Sequence, residues 1–183
     1  MSEALLLVDI QNDYFTGGAM ELVGMEKVAE NAVALLKLFR KKSLPVYHIR
    51  HLSLREGATF FLPNTAGAEI HPSVQPLDGE VVIEKYFPNS FRETELLAQC
   101  RKDEVESLVI CGAMSHMCID ATTRAAFDLG FGCTVVEDAC ATRNLVFKGR
   151  EVSSSDVHSA FMAALGAVYA RVVSLEEFVG EAR

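Results

Sequence analysis

Short apolar runs alternate along the chain with longer segments in which apolar residues recur every three or four positions. Six of the short runs are rich in Leu, Ile and Val and predict strands at residues 4–10, 45–51, 81–85, 107–112, 132–138 and 171–174. Their hydrophobicity is nearly continuous and does not alternate. That pattern is typical of strands buried on both faces of a parallel sheet.

Four longer segments, at residues 25–42, 90–100, 117–129 and 155–169, have the periodicity of helices with one buried face. Asn89 or Ser90 is predicted to cap the second of these helices, with Glu93 completing a capping box. Gly130 and Gly132 predict a left-handed end to the third helix before the next strand begins.

The alternation of strands and helices predicts a doubly wound α/β fold in a single domain, residues 1–183. Its mainly parallel, six-stranded sheet would carry helices on both faces, in the three-layer α/β/α arrangement of Rossmann-like proteins. The segment 52–79 is longer than an ordinary loop and has no periodic pattern. It is therefore predicted to be a substrate lid or an oligomer contact.

Composition mainly excludes other classes of protein. Half of the 183 residues are hydrophobic and 23% are charged, as in a globular domain with a sizeable core. The formal net charge of -8 argues against a nucleic-acid partner. No segment approaches the ~20 apolar residues that span a membrane.

The beginning of the chain and its cysteines predict a cytoplasmic location. The first apolar run has only five residues and no basic leader, unlike a targeting peptide. Five cysteines occur without the paired spacing of a zinc site, which indicates free thiols in a reducing compartment.

Three reactive side chains fall at the ends of three different predicted strands. Asp9 follows the first strand, Lys85 ends the third, and Cys118 follows the fourth across a short turn, at the start of a helix. Ligands of doubly wound sheets bind at this carboxyl edge. Separately, the three residues have ordinary structural interpretations, as a cap, a surface lysine and a small buried hydrophobe. Their coincidence at one edge favours a catalytic group.

The chemistry of the three side chains is complementary. The first turn of a helix stabilises a thiolate and lowers its pKa, so Cys118 is predicted to be the nucleophile. A carboxylate such as Asp9 can accept the thiol proton and later deliver it to a leaving amine. Lys85 beside both would stabilise the thiolate and keep the carboxylate ionised.

The segments around these residues resemble the isochorismatase-like cysteine hydrolases, which include nicotinamidases, N-carbamoylsarcosine amidohydrolases and streptothricin hydrolases. The resemblance covers almost the whole chain, and its motifs lie at residues 5–15, 84–85, 89–91 and 109–123. It implies that Asp9 is the general base and acid, Lys85 the triad lysine and Cys118 the nucleophile. It also implies an oxyanion hole made by the backbone N–H groups of Met114 and Cys118, and a cis peptide bond between Ala113 and Met114.

The resemblance also narrows the reaction. Isochorismatases that cleave a vinyl ether lack a cysteine at the nucleophile position, so Cys118 implies hydrolysis of a C–N bond in an amide, carbamoyl or lactam group through a thioester. The expected partner is a small amide-type molecule, no cofactor is expected, and a homo-oligomer, a dimer or tetramer, is implied. One alternative is a member of the same fold that binds small molecules with a vestigial triad.

The other alternative is a metal-assisted nicotinamidase. Nicotinamidases carry an Asp-x-His metal pair after the second strand, where this chain has Arg50, His51 and Leu52. A cation in place of the first ligand would oppose a divalent ion. His48, His51 and His71 are therefore predicted to make structural or substrate contacts, and no metal site is expected.

Further residues are predicted to line the substrate pocket. Some follow Asp9, some lie in the long segment 52–79, and some flank the second and third predicted strands. They are Asn12, Phe15, Arg50, Phe60, Phe61, Asn64, Asn89 and Phe91. His116 is close to Cys118 in sequence, but its side chain is expected to point away from the nucleophile. The identity of the substrate is not determined by these positions.

Overall fold

Six parallel strands form the central sheet of the computed structural model, which describes residues 2–181. They are β1 (Ser2–Val8), β2 (Val46–His51), β3 (Val81–Lys85), β4 (Val105–Ala113), β5 (Gly132–Ala141) and, later in the chain, β8 (Arg171–Val173). Their order across the sheet is β3-β2-β1-β4-β5-β8. The predicted doubly wound, six-stranded parallel sheet is thereby confirmed. A small antiparallel hairpin of β6 (Leu145–Phe147) and β7 (Arg150–Val152) was not predicted.

Five α-helices accompany the sheet in the described part of the chain. They are α1 (Met25–Lys41), α2 (Leu96–Lys102), α3 (Asp120–Asp128), α4 (Ser154–Val168) and α5 (Leu175–Glu181). The short helix α5 was not predicted, and its first N–H group donates to Asp138 at 2.8 Å. Among residues 2–181, none of the helices combines the length and apolarity needed to cross a membrane.

The predicted helix over residues 90–100 is wrong in its first half. Glu93 has a left-handed φ of 56°, which a right-handed helix does not accommodate, so α2 begins only at Leu96. The predicted capping box therefore does not form. Ser90 is instead buried, and its N–H and hydroxyl groups lie 3.0 and 2.9 Å from the Thr122 hydroxyl. Of the two glycines predicted to end the third helix, Gly130 has a left-handed φ of 93°, whereas Gly132 simply begins β5.

Two apolar cores, one on each face of the sheet, explain the continuous hydrophobic runs. Leu5 and Leu7 of β1 pack in the core that includes Leu35 of α1. Leu6 packs on the opposite face, in the core that includes Leu165 of α4. Because neighbouring residues of a strand point to opposite faces, a sheet covered on both faces requires apolar residues at every position.

The carboxyl edge of the sheet is closed tightly between β1 and β4. Gly112 is paired with Val8 and has a φ of 123°, a conformation that favours glycine. A Cβ atom at this position would lie 2.0 Å from the Val8 carbonyl oxygen. Gly112 therefore permits the close approach that places Asp9 beside the turn after β4.

We expect Gly112→Ala to lower the free energy of unfolding by about 2–5 kcal/mol, because it combines a strained φ with a backbone overlap. Urea denaturation followed by circular dichroism would measure the loss. Gly166→Ala is a matched control in α4, where a new Cβ would meet Val172 at 3.5 Å, an ordinary contact. Equal stability of the two variants would contradict the proposed role of Gly112.

Candidate active site

The structure brings Asp9, Lys85 and Cys118 together at the carboxyl edge of the sheet. Lys85 Nζ lies 2.8 Å from Asp9 Oδ2 and 3.2 Å from Cys118 Sγ. Asp9 and Lys85 are 0% exposed and Cys118 is 5% exposed. β1 leads directly into Asp9 and β3 ends at Lys85, so two strands on either side of β2 deliver the carboxylate and the ammonium group to one place.

Asp9 is held by its backbone and keeps one oxygen available. Its N–H group donates to Ile49 O at 3.1 Å, and its φ of 53° is left-handed. Its buried Oδ1 atom has no hydrogen-bond partner among residues 2–181. A buried acceptor without a partner is costly unless a ligand, water or reacting group uses it. The carboxylate can therefore contact Lys85 with one oxygen and exchange a proton with the other.

Four acceptors surround the Lys85 ammonium group. Besides Asp9 and Cys118, His51 Nδ1 lies at 2.9 Å and Phe87 O at 3.2 Å. Burial by itself would lower the pKa of Lys85, but the charge of Asp9 and the hydrogen bonds to Asp9 and Cys118 outweigh it and raise the pKa above its usual value. Lys85 is therefore a permanent cation. It has only three hydrogens for four acceptors, so its hydrogen bonds can redistribute as charge forms on sulfur.

The environment of Cys118 differs from the expected one. The residue lies in a π-helical turn, Ser115–Ile119, that precedes α3. Burial raises the pKa of the Cys118 thiol, the charge of Asp9 raises it further, and Lys85 only partly offsets both. The expected lowering of the thiol pKa is therefore contradicted, and activation of Cys118 requires a base.

The turn that carries Cys118 is anchored from two sides. The peptide bond between Ala113 and Met114 is cis. Ser115 Oγ donates to Ala141 O at 3.2 Å and lies 2.8 Å from His158 Nδ1 of α4. His116 Nδ1 lies 2.6 Å from the Thr142 hydroxyl group. His116 is thus engaged with the segment after β5, and the histidine beside the reactive cluster is His51.

His51 is a neutral member of the cluster. Burial lowers the pKa of His51 to about 4, since the favourable charge of Asp9 is opposed by those of Lys85 and Arg55. Its Nδ1 atom accepts a hydrogen bond from Lys85, and its backbone N–H donates to Gln11 Oε1 at 2.7 Å.

The histidines of the described chain do not form a metal site of the nicotinamidase kind. His48 Nε2 contacts Glu80 at 2.9 Å, and the His71 ring stacks on Phe15. Asp9, His51 and Cys118 do offer ligand atoms within 4.8 Å of one another. The Lys85 ammonium group, however, contacts all three, so the position between them already holds a cation, and a divalent ion there would be repelled.

A cavity of about 170 Å³ reaches Cys118. Its walls combine aromatic rings, two methionines and a few polar side chains: Tyr14, His51, Ser53, Leu54, Arg55, Phe60, Tyr86, Pro88, Met114, Met117 and Cys118. The volume is below the usual range of about 300–1,000 Å³ for sites that bind drug-sized ligands. The cavity therefore fits a small molecule.

Of the eight residues predicted to line the pocket, Phe60 does so and the others do not. Arg50 forms ion pairs with Glu69 and Glu84. Phe15 faces a separate groove with His71. Phe61 is fully buried and packs against Tyr14. These side chains satisfy their packing or charge elsewhere, which the sequence pattern does not reveal.

The remaining predicted residues have structural contacts of their own. Asn12 Nδ2 donates to Ala66 O at 2.7 Å, and Asn89 Oδ1 accepts the Phe91 N–H group at 2.9 Å. Phe91 stacks on Phe131 at 5.9 Å between ring centroids. Asn64 is exposed at a turn with a left-handed φ of 61°.

Two buried polar residues that position the site were missed. Gln11 Nε2 donates to His51 O at 2.9 Å and Ala68 O at 2.8 Å. Asp13 Oδ2 accepts the Phe61 N–H group at 2.6 Å. Together they attach the long segment 52–79 to the end of β1, so that Phe60 covers the cavity. Polar residues directly after a buried strand were the available signal.

A parallel α/β sheet with a buried cysteine, carboxylate and lysine at its carboxyl edge is the arrangement expected of a cysteine hydrolase. The model of the Isochorismatase domain matches residues 3–177. The chain belongs to the isochorismatase family.

Individual relatives agree with this assignment. The uncharacterized isochorismatase family protein YddQ of Bacillus subtilis (strain 168) is 52% identical over 98% of this chain and 99% of that protein. A solved structure from Oleispira antarctica that carries the name isochorismatase hydrolase is 50% identical, with a TM-score of 0.93 over 98% of this chain and 96% of that chain. A streptothricin hydrolase of Streptomyces noursei is 33% identical over 78% of this chain and 51% of that protein.

We expect Lys85→Met to lower the free energy of unfolding by about 3–5 kcal/mol, because it leaves the Asp9 carboxylate buried without its cation. The double variant Asp9→Asn/Lys85→Met removes both charges, and Asn tolerates the left-handed φ of position 9. Urea denaturation should show the double variant to be more stable than Lys85→Met alone. If the double variant is the less stable one, the charge pair is not what Lys85 stabilises.

The pKa of His51 predicts a loss of stability in acid. Its folded value of about 4 lies below the ordinary 6.5, so between these values the unfolded chain binds a proton that the folded protein excludes. This contribution is absent above pH 6.5 and reaches about 3 kcal/mol of destabilisation as the pH falls to 4. His51→Asn, whose Oδ1 can accept from Lys85, should lose less stability between pH 7 and 4. Parallel stability curves for the two proteins would refute the assignment.

Proposed function

We propose that this protein is a cysteine amidohydrolase that cleaves a C–N bond of a small amide, carbamoyl or lactam compound through a thioester on Cys118. The observation that carries the proposal is the contact of one buried ammonium group, Lys85, with both the Asp9 carboxylate and the Cys118 sulfur, beside a cavity that reaches that sulfur. The similarity to a protein named for the hydrolysis of streptothricin supports hydrolysis as the reaction class.

In the first half of the reaction, Asp9 accepts the Cys118 proton while sulfur attacks the carbonyl carbon of the substrate. Because burial raises the pKa of the thiol, the proton moves to Asp9 while the bond between sulfur and the carbonyl carbon forms, and not before it. The Lys85 ammonium group stabilises the charge that develops on sulfur. The backbone N–H groups of Met114 and Cys118 are proposed to stabilise the oxyanion.

In the second half, the tetrahedral intermediate collapses, the C–N bond breaks and Asp9 donates its proton to the leaving nitrogen. The acyl group is then bound to Cys118 as a thioester. Asp9 accepts a proton from a water molecule that attacks this thioester. It returns that proton to the Cys118 sulfur as the C–S bond breaks and the carboxylic acid product is released. Lys85 remains protonated throughout, because its pKa is raised by the two groups it contacts.

The proposal includes a cytoplasmic location and a dimer or tetramer, both of which stay predictions. Exposed apolar side chains on the β6–β7 hairpin, Val146 and Phe147, and Val168 at the end of α4 are compatible with self-association. They lie outside the cavity lining.

We expect Cys118→Ala to abolish turnover of any substrate that the protein hydrolyses, with unchanged folding, because no other residue in the cavity is placed to form the thioester. A screen of small amides by ammonia release and mass spectrometry would first identify such a substrate. Cys133→Ala, which removes a half-buried thiol outside the cavity, is the matched control and should retain activity. Full activity of Cys118→Ala would refute the mechanism, and so would a thiol at Cys118 no more reactive toward iodoacetamide than the other four.

A further inference from the structure

The wall of the cavity carries one unbalanced charge. Arg55 is the only lining residue with a permanent charge, and the lining contains no Asp or Glu. Beneath the wall, Asp9 and Lys85 form a pair whose charges offset each other. The pKa of Tyr14 is raised by burial, so its phenol is neutral and does not balance the guanidinium group. The cavity is therefore electropositive in a chain whose formal net charge is -8.

Arg55 is also free to bind a ligand. Within residues 2–181, its guanidinium group has no ion-pair partner and no side-chain hydrogen bond. Five other arginines are paired with carboxylates, namely Arg40, Arg50, Arg92, Arg124 and Arg171. Arg101, Arg143 and Arg150 also have no ion pair within these residues, but Arg55 is the arginine that lines the cavity. Arg55 is close enough to His51 for its charge to affect that ring, which places it above the reactive cluster.

The usual interpretation of an exposed arginine on a loop is a solvated side chain. Two observations oppose that interpretation here. Arg55 lines the cavity that reaches Cys118, and the loop that carries it is tied down, because the Ser53 N–H group donates to Phe61 O at 2.8 Å and Phe61 in turn is held by Asp13. The guanidinium group therefore belongs to a formed wall and not to a free loop end.

We propose that Arg55 recognises a carboxylate on the substrate, so that the substrate class is a small anionic amide with its C–N bond at one end and a carboxylate at the other. This inference rests on the proposed function and specifies its substrate. A guanidinium group binds a carboxylate in a bidentate manner with two parallel hydrogen bonds. The aromatic side chains of Tyr14, Phe60 and Tyr86 would contact the part of the molecule between the two ends.

The test compares two alkylating reagents that differ in charge. Iodoacetate and iodoacetamide attack the same sulfur and are nearly equal in size, but only iodoacetate carries a carboxylate. The folded protein would be alkylated with each reagent and then digested. Mass spectrometry of the peptides would give the rate of alkylation of Cys118. Cys133, a half-buried thiol outside the cavity, reports the intrinsic difference between the reagents in the same sample.

In the wild-type protein, the ratio of iodoacetate to iodoacetamide rates should be higher at Cys118 than at Cys133. Arg55→Gln should lower the ratio at Cys118 about 10-fold, the lower end of the effect of a charged cleft on the capture of an oppositely charged ligand. Arg55→Lys should preserve most of the preference. The matched control is Arg50→Gln, which removes the same charge from a residue outside the cavity that is paired with Glu69 and Glu84, and it should leave the ratio unchanged.

A second measurement uses turnover. Succinamate and butyramide share an amide and a chain of similar length, but only succinamate carries a carboxylate. If either is hydrolysed, kcat/KM should favour succinamate, and Arg55→Gln should remove the preference while sparing the neutral amide. If Arg55→Gln leaves the ratio of iodoacetate to iodoacetamide rates at Cys118 unchanged while Cys118 still reacts, the role of Arg55 is overturned and the proposed hydrolase stays intact. Loss of selective Cys118 reactivity in the wild-type protein would instead overturn the proposed function.

Discussion

The buried ammonium group of Lys85 is the interaction on which the site depends. It contacts a carboxylate, a sulfur, an imidazole and a backbone carbonyl, and it has no exposed surface. Removing a charge from water costs several kcal/mol unless its partners compensate for the loss. The same partners that make the cation tolerable, Asp9 and Cys118, are those that the proposed chemistry uses. Stability and function therefore rest on one set of contacts.

The parallel sheet makes that concentration of charge possible. The carboxyl ends of parallel strands lie at one edge of the sheet. Residues that are far apart in sequence, such as Asp9 and Lys85, therefore lie close together in the fold. The paired residues His51 and Lys85, at the ends of β2 and β3, illustrate the point, because the sheet register brings their side chains into hydrogen-bond contact. Gly112 closes the neighbouring pair of strands so that the turn with Cys118 lies against the end of β1.

A second layer of buried polar residues determines the shape of the cavity. Gln11 and Asp13 bind backbone groups of the segment 52–79 and hold it over the edge of the sheet. That segment supplies Arg55 and Phe60 to the wall, next to the reactive cysteine. The charge at the mouth of the cavity is therefore set by a loop, whereas the reactive groups are set by the sheet. Such a division allows substrate preference to vary while the chemistry is kept.

The sequence by itself determined the parallel sheet and the residues of the reactive cluster, because continuous apolar runs report burial on both faces and strand ends report a shared edge. It also carried the family resemblance that the Isochorismatase domain match bears out. It did not determine the contacts of polar side chains at and beyond the strand ends. Arg50 was expected at the substrate but is paired with Glu69, whereas Arg55 and His51 line the cavity. Only the tertiary structure decides these, because the partner of a long polar side chain, and the pKa of a buried thiol such as Cys118, depend on groups that folding brings together from distant parts of the chain.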